Sequence, residues 1–129
     1  MSRAILDTSV FVAREQGRPI ARPLPDQVAV SVVSVAELEL GVLVARDPGA
    51  RAQRLRTLTE VRSLASALPI DERIASAYAR LAAEVIARGR RPRVHDTWIA
   101  ASALVNDVEV WTQDGDFSDF ERSVVVVAV

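Results

Sequence analysis

A chain of 129 residues, half of them hydrophobic, has the length of one domain around one core, and residues 1–129 are read as a single domain. The absence of cysteine excludes a disulfide framework, a thiolate metal site and a thiol nucleophile and fits a reducing cytoplasm, while a net charge of −1 does not announce a nucleic-acid binder. All 16 basic residues are arginines, which excludes mechanisms that need a Schiff-base lysine, a phosphate-loop lysine or a lysine beside a phosphorylated aspartate.

The apolar run after Met1-Ser2-Arg3 is too short for a signal peptide and no apolar stretch approaches spanning length, so a soluble cytoplasmic protein with no membrane attachment is expected. Ala4 to Leu6 reads as a buried strand running into the polar turn Asp7-Thr8-Ser9, with a helix starting at Val10 to Val12. Residues 17–26, with three prolines and a glycine, read as loop, and the β-branched run Val28 to Val33 as a second buried strand. Ser34 opens a helix to about Ala45 that Asp47-Pro48-Gly49 stops. Residues 51–64 carry Leu55, Leu58, Val61 and Leu64 at the spacing of one helix face. A short strand over Ser66 to Ile70 precedes a helix capped by Asp71, with Ile74, Tyr78, Leu81 and Val85 on one side and Gly89 at its end. A basic loop, Arg88-Gly89-Arg90-Arg91-Pro92-Arg93, leads to Asp96 at the head of a helix reaching Val105. Val108 to Trp111 is a strand, Thr112 to Asp116 a turn, Phe117 to Glu121 a helical turn and Val124 to Val127 the last strand. Strands apolar on both faces alternating with helices predict an α/β fold, a mostly parallel central sheet covered on both sides.

In such sheets ligands bind beyond the carboxyl ends of the strands, and acids stand at four such places: Asp7, Glu37, Asp96, and the pair Asp114 and Asp116. Each also suits a structural role. Asp7 and Asp96 can cap helices, Ser34-Val35-Ala36-Glu37 matches a capping box, Asp114-Gly115 is a turn dipeptide, and Asp116 can cap the final helical turn. Gathered at one rim they repel one another unless a cation neutralises them, and hard oxygen donors favour Mg²⁺ or Mn²⁺. A single histidine, His95, and no cysteine cannot build a structural zinc site; His95 reads as a solvent-facing or hydrogen-bonded neighbour of Asp96, and Tyr78, Trp98 and Trp111 as core.

The segments Ile5-Leu6-Asp7-Thr8-Ser9, Ser34-Val35-Ala36-Glu37-Leu38, His95-Asp96-Thr97-Trp98-Ile99-Ala100-Ala101 and Trp111-Thr112-Gln113-Asp114-Gly115-Asp116-Phe117 together resemble the PIN-domain ribonucleases. In length, order and spacing they resemble the VapC toxins of bacterial toxin–antitoxin pairs, over essentially the whole chain. Each segment is short; their order is what carries the likeness. The resemblance implies a three-layer α/β/α sandwich, an endoribonuclease dependent on Mg²⁺ or Mn²⁺, and an acidic site of Asp7, Glu37, Asp96 and Asp114, with Asp116 as a fifth acid and Ser9 and Thr112 as hydroxyl supports. Metal-assisted phosphodiester hydrolysis suits such a site: Asp7, Asp96 and Asp114 would hold metal, and Glu37 would orient or deprotonate the attacking water, bridge to metal, or cap its helix. Arg88, Arg90, Arg91 and Arg93 are candidates for RNA phosphates, or form a solvated loop. A VapB-like protein antitoxin and a homodimer are further implications of the resemblance.

Two other readings compete. An aspartate-based phosphatase would need a lysine and a second acid two residues after Asp7, where Ser9 stands. A non-catalytic RNA-binding or interaction module would lack the acids, and all four are present. DNA is chemically possible as an alternative substrate.

Overall fold

The structure, a computed structural model, describes residues 2–129. Five strands, β1 (Arg3–Leu6), β2 (Gln27–Ser31), β3 (Ala65–Leu68), β4 (Glu109–Thr112) and β5 (Val126–Ala128), form one sheet in the order β3-β2-β1-β4-β5, and every pairing is parallel. Five helices connect them: α1 (Thr8–Glu15), α2 (Val32–Val44), α3 (Pro48–Leu64), α4 (Glu72–Ala87) and α5 (Val94–Asn106), followed by a 3₁₀ turn over Gly115–Phe120.

Alternation along the strands divides the core. Ile5 and Val110 face one side, where they join Ile74, Leu81 and Val85 of α4, Ile99 of α5, and Phe117 and Phe120 of the 3₁₀ turn. Ala4, Leu6, Val30 and Trp111 face the other side, with Val10 and Phe11 of α1 and Val61 of α3. The sheet is thus covered on both faces, the three-layer arrangement expected of its apolar strands. Tyr78 and Trp98 stack with ring centroids 4.0 Å apart against the α4–α5 side, and Trp111 is buried.

Strand order fixes where a site can form. From β1 the chain steps through β2 to β3 on one side, then crosses over to β4 and β5 on the other. The order reverses between β1 and β4, and the crevice beyond their carboxyl ends is the place where such sheets bind ligands.

Three local expectations are corrected. First, α2 begins at Val32 and is capped by Ser31, whose Oγ accepts from Val33 N at 3.1 Å; Ser34 and Glu37 do not form a capping box, and Ser34 Oγ is buried without a partner among the described residues. The strand therefore ends at Ser31, because a good cap residue stands there two positions before the expected end. Second, Asp47-Pro48-Gly49 starts a helix as well as stopping one: Asp47 caps α3 by accepting from Ala50 N at 2.8 Å, with Pro48 in its first turn, where a missing N–H costs nothing. Third, Leu58 and Val61 are buried but Leu55 and Leu64 are about half exposed, so the inward face of α3 is narrower than its leucine spacing predicts. Together with Leu40, Leu43 and Val44 on α2, Leu55 belongs to a set of exposed apolar side chains on the α2 and α3 helices.

The ends of α4 and α5 are closed as expected or more tightly. Asp71 caps α4 through Ile74 N, which holds its carboxyl below the usual range, and Gly89 ends the helix at φ 75°, a left-handed conformation that costs glycine little. Asp107 closes α5 in the same region at φ 52°.

Candidate active site

Asp7 is the first residue after β1 and the N-cap of α1; its Oδ2 accepts from Ser9 N at 3.4 Å. It is 5% exposed, and a buried carboxylate needs donors. Ser9 Oγ donates to the same Oδ2 at 2.7 Å and Thr112 Oγ1, at the end of β4, donates at 3.0 Å. Both hydroxyls accept in turn from the next turn of chain, Ser9 from Gln113 N at 3.0 Å and Thr112 from Asp114 N at 2.9 Å. Capping and site building coincide here, because one oxygen carries all the local bonds.

Glu37 projects from α2 and is fixed by residues of two other elements. Thr8 Oγ1 donates to Oε1 at 3.2 Å, and His95 Nδ1 lies 3.4 Å from Oε2. Asp96 sits in the first turn of α5 and does not cap it; Arg93 occupies the cap position without a side-chain bond. Its Oδ2 is buried and has no hydrogen-bond partner among the described residues. Burial, then repulsion from Asp7 and Asp114, push the Asp96 pKa up to about 6, against a smaller lowering by Arg93. Asp114, and not Asp116, caps the 3₁₀ turn, accepting from Asp116 N at 2.9 Å. Contact with the Asp114 carboxylate is the main cause that raises the Asp116 pKa as well.

Single oxygens of Asp96, Asp114 and Asp116 come within 4.8 Å of one another. Asp7, Thr8, Ser9, Glu37, Arg93, His95, Asp96 and Asp114 line an open pocket of about 490 Å³ at the switch point. Asp116, expected only as an accessory, comes into the cluster with Asp96 and Asp114 because the Asp114 cap turns the chain back on itself. Three clustered oxygens, one buried without a donor, fit a hard divalent cation better than they fit vacant solvent.

The basic loop divides. Arg93 pairs with Asp116 at 2.7 Å, Arg90 with Asp119 at 2.8 Å, and Arg88 donates to the Asp119 carbonyl at 2.7 Å. Arg91 makes no ion pair among the described residues. Sequence reasoning missed Thr8 and Asp119, whose partners lie 29 and about 30 residues away and meet only through the tertiary fold.

The PIN domain family profile matches residues 4–123. The chain belongs to the PIN-domain family. Within that family this PIN domain is 46% identical over 128 residues to Ribonuclease VapC5 of Mycobacterium tuberculosis, covering 97% of this chain and 94% of the relative. It is 40% identical over 121 residues to Ribonuclease VapC4 of the same organism, covering 90% and 89%. Among solved structures, that of a member of the VapBC family of toxin–antitoxin systems, VapBC-5 from Mycobacterium tuberculosis, matches this PIN domain with a TM-score of 0.84 at 40% identity, covering 100% of this chain and 98% of the other. No helix of the described residues is long and apolar enough to cross a membrane.

Proposed function

We propose that this PIN domain, acting as one unit over residues 1–129, is a divalent-metal-dependent endoribonuclease and the toxin of a bacterial toxin–antitoxin pair, working in the cytoplasm. The observation that carries the reading is the half-buried Asp96, with an oxygen that no donor among the described residues reaches, set among the carboxylates of Asp7, Asp114 and Asp116. Asp7, Asp96 and Asp114 are the residues that would hold Mg²⁺, or Mn²⁺ in its place, with Asp116 and Glu37 completing the acidic set. A bound ion would supply charge neutralisation at the phosphodiester and a more acidic water.

The protein's own groups do the rest. Ser9 and Thr112 hold the carboxylate of Asp7, a pocket-lining residue, by its Oδ2 alone. Thr8 holds Glu37, with His95 Nδ1 3.4 Å from its other oxygen, so that its carboxylate can take a proton from the attacking water. Of the four arginines before α5, Arg93 lines the pocket and Arg91 makes no ion pair among the described residues, so these two are the sources of phosphate contacts, whereas Arg88 and Arg90 are held at Asp119. Relatives named VapC and a VapBC neighbour support a VapB-like antitoxin as partner, and the exposed Leu40, Leu43, Val44 and Leu55 offer apolar surface of the kind protein partners cover. A homodimer is part of the same reading.

The test is cleavage of total RNA with Mg²⁺, Mn²⁺ or EDTA, followed by mapping of new ends, with matched DNA alongside. Cleavage should require the ion, and Asp96→Asn should abolish it while leaving circular dichroism unchanged, since the amide keeps the shape and removes the charge. Cleavage that survives either EDTA or the substitution removes Asp96 from the chemistry.

A further inference from the structure

Negative charge dominates the pocket. Asp7, Glu37, Asp96 and Asp114 line it and Asp116 stands at its rim, whereas Arg93 is the one permanent cation among its described lining residues. Arg93 Nη1 lies 2.7 Å from Asp116 Oδ2. The main chain that carries it is anchored, because its carbonyl accepts from Thr97 N at 2.9 Å and from Thr97 Oγ1, and Thr97 is fully buried. The side chain is 59% exposed and that of Asp116 42%, so the ion pair is solvent-screened and easily exchanged. A guanidinium on a fixed anchor, weakly held across the mouth of a pocket, can take a second position without moving the helix.

Its neighbours are built differently. Arg90 pairs with an Asp119 carboxylate that is only 12% exposed, and Arg88 donates to the Asp119 carbonyl, so both secure the loop to the 3₁₀ turn and neither lines the pocket.

We infer that Arg93 is the resident counter-cation of the acidic pocket, and that a divalent ion, on engaging Asp116 with Asp96 and Asp114, releases its guanidinium to a phosphate of the RNA. The inference rests on the metal-dependent ribonuclease reading. Its physical basis is that the carboxylate Arg93 uses is one of the three whose oxygens come within 4.8 Å, so ion and guanidinium compete for one group. A phosphate approaching the bare acids is repelled. Once the ion is in place, the freed planar fork suits two phosphate oxygens. Arg93 thereby couples the two binding events, and its contact with RNA forms only in the metal-loaded state.

Three variants test this: Arg93→Gln, Arg93→Lys, and Arg90→Gln, which loses the same charge from a pair outside the cluster. Calorimetric titration with Mn²⁺ in the absence of RNA should show Arg93→Gln binding the ion about two- to fivefold more tightly than wild type, the range expected for removal of an exposed paired competitor. Arg93→Lys should return close to wild type, and Arg90→Gln should not depart from it. In EDTA, where nothing is cleaved, Arg93→Gln should bind a single-stranded RNA as wild type does. In Mg²⁺ its KM for that RNA should rise about three- to tenfold, with kcat changed less and with a shallower salt dependence. The inference is overturned if Arg93→Gln and Arg90→Gln have equal Mn²⁺ affinities, or if Arg93→Gln weakens RNA binding as much in EDTA as in Mg²⁺. Wild-type protein that binds no Mn²⁺ would sink the metal-dependent reading itself, and this inference with it.

Discussion

Asp96 carries opposed demands: its position in the first turn of α5 suits a negative charge, yet its Oδ2 finds no donor among the described residues and the carboxylates of Asp7, Asp114 and Asp116 repel it. Burial and those neighbours place its pKa at about 6, above the ordinary value of about 4 in an unfolded chain. The folded protein therefore holds this proton more tightly than the unfolded one. The stability this contributes is fully present below about pH 4 and is lost as pH rises through about 6. Asn cannot titrate, and its amide can donate to the facing carboxylates, so in EDTA Asp96→Asn should melt higher than wild type, by a margin that grows between pH 4 and 6 and then levels. The half-buried position limits the plateau to about 1–2 kcal/mol. Parallel melting curves from pH 4 to 8, or a lower melting temperature for the variant, would show that the charge at Asp96 is well accommodated. Asp7, Asp96 and Asp114 were legible because each stands where a strand ends or a helix starts, and such places can be read from local pattern; Glu37, inside α2, was legible only by its distance beyond the second strand. What pattern could not show is the pairing of roles: Asp7 and Asp114 cap and also face the pocket, and Thr8 reaches Glu37 only because β2 lies beside β1.

Among the elements, α2 shows where local pattern misleads. Ser34 and Glu37 have the spacing of a capping box, but Ser31, three residues earlier, reaches Val33 N and starts the helix. Glu37 is thereby freed for Thr8 and His95, and Ser34 falls inside the helix with a buried, unpartnered hydroxyl. The two serines should respond in opposite ways to the same substitution. Ser31→Ala removes a cap, which costs about 1 kcal/mol and lowers the melting temperature by about 3–5 °C. Ser34→Ala removes a desolvated group that bonds to nothing and installs a better helix former, so its melting temperature should hold or rise. Thermal melts of the two single variants decide between the start at Val32 and the start at Ser34; a larger loss at Ser34 restores the capping box. The other elements were readable to within a few residues because their signals are physical punctuation: Gly89 at a positive φ, Asp71 on Ile74 N, and the apolar strands β1 and β4 with buried residues on both faces. The exposed Leu55 and Leu64 were not readable, since periodicity identifies a helix face without saying how much of it the next element covers.

Across the whole molecule, a net charge of −1 conceals an uneven distribution, with five acids gathered at the switch point against a single arginine, Arg93, among the pocket's described lining residues. Composition could not reveal this, because the gathering follows from the strand order β3-β2-β1-β4-β5, which brings residues 7 and 112 within hydrogen-bond distance. Repulsion in the metal-free protein is consequently local, and two kinds of cation should relieve it by different amounts. Monovalent salt only screens, and screening is weak for charges that are partly buried. A divalent ion held by the cluster stabilises the folded state by mass action, by about 2.7 kcal/mol at a hundredfold excess over its dissociation constant, which for a chain of this size raises the melting temperature on the order of 10 °C. The comparison must be made at equal ionic strength, so that 10 mM MgCl₂ is set against about 30 mM NaCl in EDTA-treated protein. MgCl₂ should then raise the melting temperature well beyond NaCl, in proportion to the logarithm of its concentration once the site is filling. Asp96→Asn, with the repulsion already reduced and a ligand charge removed, should start higher and gain less. Equal shifts in the two salts would mean that the rim acids are neutralised by screening alone, and that no ion is held among them in the folded state.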